Sequence, residues 1–466
     1  MDWFGAAGDG ITDDSPSIQS ALNYAADETT GTFSVYIPHG DYIVGSTIVA
    51  PQNIEILGSS GTNWGSRLVA GPSLNSYVIS TSGGLNIKNI NLVGTYDPLN
   101  TSEALLHVAG GNDLFLQDVV FFNMHTGIIC DGSTAAFYIT IDNCRFQNSI
   151  SSFIRIKETS NPGVDLIISN SRFLGHIESY AWWFEKGLGS IIADNVQISL
   201  TGTAPSEQLV YLGEPAPLYG GAQFSNCVFE GGQFYIAGGA TSPWFEIHFS
   251  TCLFTGYAQE AMRISYSKGV TIDNSTFSTS NTSSILLLSA LGSNTNLRIT
   301  DCSWETDSGT AIPINCPGDS VIDLSVISPK WTGSTEFINF SSITPNQLKI
   351  QVYGGSVGSN STPLILPDEN NLEKNISVFG YNFGPSQKKI YTGDLASDGT
   401  VNITHGITNA PTRVGHVSAW FRGGSGEIIP LSVAYVDINT IRLTGGAAGV
   451  SYRAHVLYNL KDDTSW

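Results

Sequence analysis

The sequence predicts an all-β protein: a right-handed parallel β-helix of about 26 residues per coil, followed by a C-terminal antiparallel β-sandwich-like domain. Three observations lead to this prediction. A ten-residue phrase recurs from Leu85 onward, and each copy combines strand-like alternation with a polar bend. The last part of the chain changes to short alternating segments separated by turns.

The recurring phrase returns at an average spacing of about 26 residues, a period typical of solenoids. Its first and third positions are mostly apolar, so period-two alternation predicts a strand with one buried face. Each copy is therefore predicted to supply one coil. The clear copies are LNIKNINLVG, LFLQDVVFFN, ITIDNCRFQN, LIISNSRFLG, IIADNVQISL, AQFSNCVFEG, IHFSTCLFTG, VTIDNSTFST and LRITDCSWET, and weaker ones begin at Val321 and Leu348.

Positions five, six and eight of the phrase predict how each coil turns. Position five is nearly always Asn or Asp, whose side chains bond backbone groups at bends and tolerate left-handed geometry. Position six is small or apolar and position eight is large, so the side chains at these two positions are predicted to point into the interior after the bend. Position six also holds four cysteines, for which we predict buried free thiols rather than disulfides: Cys144, Cys227, Cys252 and Cys302.

Both ends of the chain depart from the repeat. The first residues predict a glycine-rich turn, an amphipathic helix capped by Asp14 or Ser15, and strands that begin the coil stack. The phrase decays after Leu348. The predicted domains are an N-terminal cap at 1–50, a parallel β-helix at 51–358, a linker or capping excursion at 359–388, and a C-terminal β-sandwich at 389–466 for trimerisation or binding.

Two parts of the chain resemble known proteins. The segments FGAAGDGITDDSPSIQSAL and VYIPHGDYIV, within the first fifty residues, closely resemble the opening of pectate-lyase-like β-helix proteins, including phage tailspikes. In that family the Asp-rich turn is a structural entry cap, so the resemblance gives Asp9, Asp13 and Asp14 no catalytic role. The segment VNITHGITNAPTRVGHVSAW looks like the C-terminal β-domains of phage tail fibres and spikes.

Composition narrows the possible functions. The chain has 40 acidic and 20 basic residues, which gives a formal net charge of −20. Proteins bind the phosphate backbone of nucleic acids through clustered Lys and Arg, so no nucleic acid partner is expected. No spanning segment or signal peptide is visible. No Walker, GxSxG, HExxH or CxxC spacing indicates NTP, serine-hydrolase or metal chemistry. We expect no cofactor, no metal site and no membrane insertion.

The second strand of each coil predicts a binding surface. Aligning these strands by their inward apolar pairs leaves one outward residue between each pair, and the result is three aromatic residues with an Arg at each end. Sugar rings pack on aromatic faces while their hydroxyls bond Arg and carboxylates, so the alignment predicts a flat glycan platform. The predicted substrate-binding residues are Arg155, Trp183, Tyr211, Tyr235 and Arg263.

The next outward column supplies the candidate acids. It holds Asp131, Lys157 and Glu185, followed by small residues, with Glu214 just beyond its Gly position. Glycosidic hydrolysis needs two carboxylates, about 5 Å apart for retention or about 6.5–9.5 Å apart for inversion. We predict Glu185 with Glu214 as the first catalytic pair and Asp131 with Glu185 as the second. Reserve acids in nearby loops are Glu178 and Glu207.

These observations and the resemblance together predict a phage tailspike or similar depolymerase. The resemblance implies a virion tail or baseplate protein, assembled in the host cytoplasm as a homotrimer, that binds a bacterial surface polysaccharide such as capsule, O-antigen or cell-wall glycan. Paired carboxylates would then hydrolyse that glycan as an endo-glycosidase. Two alternatives remain open: a receptor-binding spike without catalysis, and a secreted polysaccharide lyase.

Overall fold

The computed structural model shows a stack of parallel coils followed by antiparallel strands. It describes residues 4–27, 33–59, 65–95, 104–110, 113–131, 137–157, 164–175, 177, 180–201, 208–215, 221–239, 243–256, 260–279, 286–288, 294–306, 314–315, 322–331, 338–339, 348–353, 356–357, 364–365, 376–379, 382–383, 386–394, 400–404, 414–422, 428–437, 440–444 and 451–459. The all-β, parallel β-helix architecture predicted from the repeats is confirmed.

The strands of the coils form three parallel columns, here called sheets 1, 2 and 3. The phrase found in the sequence supplies sheet 1 and, after its bend, sheet 2. The strands of sheet 1 are Phe33–Ile37, Ile54–Gly58, Leu85–Lys88, Asp113–Gln117, Phe137–Asp142, Val164–Ser169, the second half of Tyr180–Asp194, Gly221–Ser225, Trp244–Ser250, Ser267–Asp273, Asn294–Thr300, Ile322–Ile327, Leu348–Tyr353 and Ile376–Phe379.

Sheets 2 and 3 follow in each coil, and some strands run through the corner between two sheets. Sheet 2 contains Asp9–Asp13, Gly40–Val44, Ser66–Ala70, Ile90–Val93, the first halves of Val120–Cys130 and Arg145–Ile156, Arg172–Gly175, Gln197–Leu200, Val228–Glu230, Leu253–Thr255, Thr276–Thr279, Ser303–Thr306, Lys330–Trp331, Ser356–Val357 and Asn382–Phe383. Sheet 3 contains Ile48–Ala50, Tyr77–Thr81, Ala104–Val108, the second halves of Val120–Cys130 and Arg145–Ile156, the first half of Tyr180–Asp194, Gln208–Pro215, Gln233–Ala237, Met262–Ser265, Leu286–Leu288, Ile314–Asn315, Ile338–Asn339 and Leu364–Ile365.

Antiparallel pairing begins with strand Ser386–Asp394. One sheet has the order Ser386–Asp394, Ser451–Asn459, Val414–Arg422, Ile428–Pro430, and a second has the order Thr400–Thr404, Thr440–Thr444, Ser432–Asp437. Parallel pairing continues to Asn382–Phe383, which lies inside the segment predicted as a linker or capping excursion. The domain boundaries themselves stay a prediction.

The bend between sheets 1 and 2 has the left-handed geometry that position five predicts. Every residue at this position has φ between 48° and 56°, a region where Asn and Asp are the least strained side chains after Gly. Side chains also bond along the column, as when Asn195 Nδ2 donates to Asn170 Oδ1 at 2.9 Å. The residues are Asn89, Asp118, Asn143, Asn170, Asn195, Asn226, Thr251, Asn274 and Asp301.

The interior of the stack is built by positions six and eight. Phe146 stacks on Phe121 and Phe173 with ring centroids 4.3 and 4.5 Å apart, and all three rings are fully buried. The four position-six cysteines are free and buried, as predicted: Cys144, Cys227, Cys252 and Cys302. Burial raises the pKa of Cys144 and of Cys302 to about 12, so these thiols stay protonated at neutral pH.

The N-terminal helix, Ser15–Ala26, packs against the first coils through Ile18 and Leu22, which are fully buried. Asp14 precedes it, but its carboxylate does not cap the helix. It is buried and instead accepts hydrogen bonds from the backbone N–H groups of Ala7 and Gly8 at 2.6 and 3.2 Å. The Asp14 carboxylate therefore fixes the glycine-rich turn that precedes the helix.

In the part of the chain that is described, no helix is long and apolar enough to cross a membrane.

Candidate functional site

The predicted outward column lies on sheet 3 in the register that the sequence predicts. Strand pairing places Arg155 opposite Trp183, Trp183 opposite Tyr211, Tyr211 opposite Tyr235, and Tyr235 opposite Arg263. Each of these residues is half-buried, whereas the apolar residues on either side of it are fully buried. The inward pairs that fix this register are Ile154 and Ile156, Trp182 and Phe184, Val210 and Leu212, Phe234 and Ile236, and Met262 and Ile264.

Arg155 joins the acid to the aromatic residues. Its Nε and Nη2 both donate to Glu185 Oε1, at 2.9 and 2.6 Å, and its Cζ lies 3.9 Å from the centroid of the Trp183 ring. The Arg155 and Glu185 side chains are each 27% exposed, so both reach the surface of the stripe. A planar guanidinium that stacks on a ring and bonds a carboxylate fixes both partners.

The aromatic residues form a tilted cluster rather than the flat platform that was predicted. The Tyr211 and Tyr235 rings are 5.5 Å apart at 69°, an edge-to-face arrangement. Tyr180 joins the cluster, with its ring 5.4 Å from Trp183 and 5.0 Å from Tyr211, at 46° and 45°. Inclined rings satisfy the preference of aromatic quadrupoles for offset contacts. The surface is therefore ridged, and Arg263 closes its far end with Cζ 5.2 Å from the Tyr235 centroid.

Sequence reasoning missed Tyr180 because strict alternation places it inward. The structure has two consecutive buried residues, Ala181 and Trp182, between Tyr180 and Trp183, so the strand turns a corner there. The same spacing recurs at Tyr77, two buried residues before Ser80. An aromatic residue three positions before an outward residue is therefore the sequence signal that could have identified Tyr180 as part of the surface.

Asp131 is held apart from Glu185 by other partners. Its Oδ1 bonds His107 Nε2 at 2.7 Å, and its Oδ2 lies 3.5 Å from Lys157 Nζ. Lys157 occupies the coil between the two acids, so two rungs separate them, about 10 Å at the usual strand spacing. Asp131 with Glu185 thus lies at or beyond the upper end of the range for inverting hydrolysis.

The other predicted acids are only partly placed. The backbone of Glu214 pairs with Lys186, one residue beyond the position opposite Glu185, and the Glu214 side chain lies outside the described residues. Glu178 and Glu207 also lie outside them. Among the side chains that are described, no group of three or more His, Cys, Asp and Glu is arranged to hold a metal ion.

Comparison with known proteins agrees with this architecture. A family model for rhamnogalacturonase A and epimerase, described as pectate lyase-like, matches residues 2–127. The predicted resemblance to pectate lyase-like proteins is confirmed. Tailspike protein 3 of bacteriophage CBA120 is 13% identical with a TM-score of 0.52, over 82% of this chain and 61% of that chain. At this identity the similarity concerns the fold.

Two further matches are more limited. A mannuronan C-5 epimerase A-module from Azotobacter vinelandii is 13% identical with a TM-score of 0.44, over 82% of this chain and 98% of that chain. A probable glucan endo-1,3-beta-glucosidase of Arthroderma benhamiae is 48% identical over 54 residues, which are 12% of this chain and 6% of that protein. The chain thus spans a small fraction of the length of this curated relative.

Proposed function

We propose that this chain is a tailspike-like protein that binds a bacterial surface polysaccharide along the outward stripe of sheet 3 and hydrolyses it. The observation that carries the proposal is the position of Arg155, which bonds Glu185 and stacks on Trp183 at one end of the aromatic cluster. Sugar rings would pack on the inclined rings, and their hydroxyls would bond Arg155, Arg263 and Glu185. The tailspike similarity in fold supports a virion tail location.

Glu185 suits the role of base or nucleophile. Its Oε1 accepts two N–H bonds from Arg155, and a carboxylate held in this way acts as an acceptor rather than as a proton donor. The proton for the leaving oxygen would then come from a second acid. Glu214 is the first choice, because its backbone lies in the next coil, whereas both oxygens of Asp131 already have partners.

Binding is tested by changing the aromatic cluster. Trp183→Ala removes the ring on which Arg155 stacks, and a stacked aromatic contact is worth about 0.5–1.5 kcal/mol beyond area, so affinity should fall by about two- to tenfold. The measurement is equilibrium binding to capsule, O-antigen and teichoic acid preparations. Tyr24→Ala, on the exposed side of the N-terminal helix, is the matched control and should bind normally. Unchanged binding by Trp183→Ala would show that the cluster only covers the core.

A receptor-binding spike without catalysis is the second candidate. One observation favours it: the aromatic and Arg side chains are in contact along the stripe, whereas the side chain of Glu214, the predicted partner of Glu185, lies outside the described residues. Incubation with the same glycan preparations separates the two functions. New reducing ends indicate hydrolysis, unsaturated products indicate a lyase, and binding without either product indicates a spike.

Sheet 1 carries the surface that a homotrimer would bury. Ile167 and Ile192 are opposite each other in adjacent coils, each is 43% exposed, and Tyr138 in the preceding coil is 55% exposed. Tyr138 is two residues before Thr140, which is opposite Ile167, so its ring extends the apolar pair diagonally. Burying such surface contributes about 25 cal/mol per Å². We therefore propose that three chains associate through this face of sheet 1.

The proposed trimer predicts a position-specific effect of charge. Ile192→Asp should dissociate it, because three carboxylates would be buried near the symmetry axis without partners. Sedimentation velocity at micromolar concentration measures the result. Ile11→Asp is the control, since Ile11 is 85% exposed on the first strand of sheet 2 and should not affect assembly. A monomeric wild-type chain would contradict the proposal.

A further inference from the structure

A chain of three hydrogen-bonded side chains lies on sheet 3, in the coils before the aromatic cluster. Ser80 Oγ is 2.9 Å from His107 Nδ1, and His107 Nε2 is 2.7 Å from Asp131 Oδ1. Ser80 and His107 are opposite each other in adjacent coils, and Asp131 comes from the next coil. A hydroxyl, an imidazole and a carboxylate thus follow one another at the contact distances of a nucleophile, its base and the group that orients the base.

The carboxylate determines which imidazole nitrogen is the base. An ionised Asp131 can only accept, so His107 Nε2 must carry the proton in this contact. In the neutral imidazole, Nδ1 then has the lone pair, and Ser80 Oγ–H donates to it. This is the tautomer that can remove a proton from the serine.

The imidazole is held in position on a second side. The Tyr77 ring stacks on His107 with centroids 3.9 Å apart and 16° between the planes. The His107 side chain is only 11% exposed, whereas Asp131 is 27% exposed and contacts the ammonium of Lys157. Tyr77 and Asp131 therefore fix the imidazole from two sides, with Nδ1 at hydrogen-bonding distance from Ser80 Oγ.

Ser, His and Asp also meet on sheet 1, but with a different hydrogen-bond order. On sheet 1, His248 Nε2 bonds Asp273 Oδ1, but Ser250 Oγ donates to Asp273 Oδ2 at 2.7 Å. The serine and the imidazole there both bind the carboxylate, so the hydroxyl has no base. Ser250 therefore provides a matched control within the same chain.

We propose that Ser80, His107 and Asp131 form an ester-hydrolysing site that removes small acyl groups. Ser80 Oγ would attack the acyl carbonyl and transfer its proton to His107 Nδ1. The bond from the acyl carbon to the alcohol oxygen breaks, and the leaving oxygen takes the proton from His107. Water then attacks the acyl-serine, with His107 again taking and returning a proton, which releases the carboxylic acid and restores Ser80. Asp131 is a positioning residue, because it acts through His107.

The position of the site suggests its substrate class. Ser80 and Arg155 are on one outward column, separated by the rungs of His107 and Ile129, or about 14 Å along the axis. A polysaccharide bound along the stripe would pass both, so the substrate class is an O-acylated glycan, and this part rests on the proposed function. The absence of a GxSxG phrase is consistent with it, because triads are recognised by geometry rather than by sequence order.

The test uses p-nitrophenyl acetate and a fluorophosphonate label with the full chain, and therefore needs no glycan. Wild type should hydrolyse the ester and take the label at Ser80, as located by peptide mass. Ser80→Ala should lower hydrolysis by at least about a hundredfold and abolish labelling, and His107→Gln should do the same. Asp131→Asn should lower kcat more than tenfold with KM nearly unchanged, which a merely structural change would not do.

Controls separate this site from the glycan-cleaving site. Ser250→Ala should retain full ester hydrolysis. The ester assay contains no glycan, so a loss of polysaccharide cleavage in Glu185→Gln would not affect its result. If wild type hydrolyses the ester no faster than Ser80→Ala, or if the label maps to another residue, the proposal is overturned. If the protein hydrolyses the ester but releases no acetate from O-acetylated glycan, the ester-hydrolysing site is supported and the proposed glycan substrate is contradicted.

Discussion

Glu185→Gln is expected to lower polysaccharide turnover by about two to four orders of magnitude, the range typical of a lost acid or base, while binding stays nearly intact. The reason lies in the contact with Arg155. Both guanidinium N–H groups bond Oε1, and a Gln amide oxygen can accept the same two bonds, so Arg155 and Trp183 keep their positions. The amide removes only the charge and the basic oxygen. Release of reducing ends and equilibrium binding, measured on the same glycan, separate the two effects.

Glu230→Gln is the matched control for this experiment. Glu230 is a half-buried acid on sheet 2, bonded by Ser199 Oγ at 2.6 Å, and it lies away from the aromatic stripe. Its replacement should leave turnover unchanged. Full activity of Glu185→Gln would exclude Glu185 as the catalytic acid or base. The search would then move to Glu178, Glu207 and Glu214, or to a pair formed between chains.

The register of the candidate site could be predicted from sequence because two constraints act together. Inward apolar pairs fix which residues face the core, and a one-residue slip would turn every side chain to the other face. Parallel stacking then places equivalent residues in one column, so Arg155, Trp183 and Tyr211 had only one possible alignment. The left-handed bends were predictable for a similar reason, since few side chains tolerate that backbone region.

The orientation of side chains within the column was not predictable from periodicity. Alternation says that Tyr211 and Tyr235 point outward, but the 69° between their rings depends on rotamers chosen by neighbours such as Tyr180. The network of His107 was missed for a different reason. Its partners are one coil before it and one coil after it, and only the stacked register brings Ser80 and Asp131 to the same imidazole.

The interior stack predicts the largest effect on stability. Phe146 has ring partners on both sides, at 4.3 Å to Phe121 and 4.5 Å to Phe173, and Phe153 contacts its edge. Close packing between coils leaves the stack little freedom to collapse into the space of a missing ring. Phe146→Ala should therefore lower the free energy of local unfolding by about 3–5 kcal/mol.

The loss at Phe146 should be local, because each coil of a solenoid contacts only its neighbours. Native-state hydrogen exchange measures this directly. Protection should fall in strand Arg145–Ile156 and in the coils of Phe121 and Phe173, while strands such as Ser267–Asp273 keep their wild-type exchange rates. Tyr36→Ala is the control, since that ring is 54% exposed and its removal should cost no more than about 0.5 kcal/mol. A uniform loss of protection along the whole stack would contradict the local model and would indicate that the coils unfold as one cooperative unit.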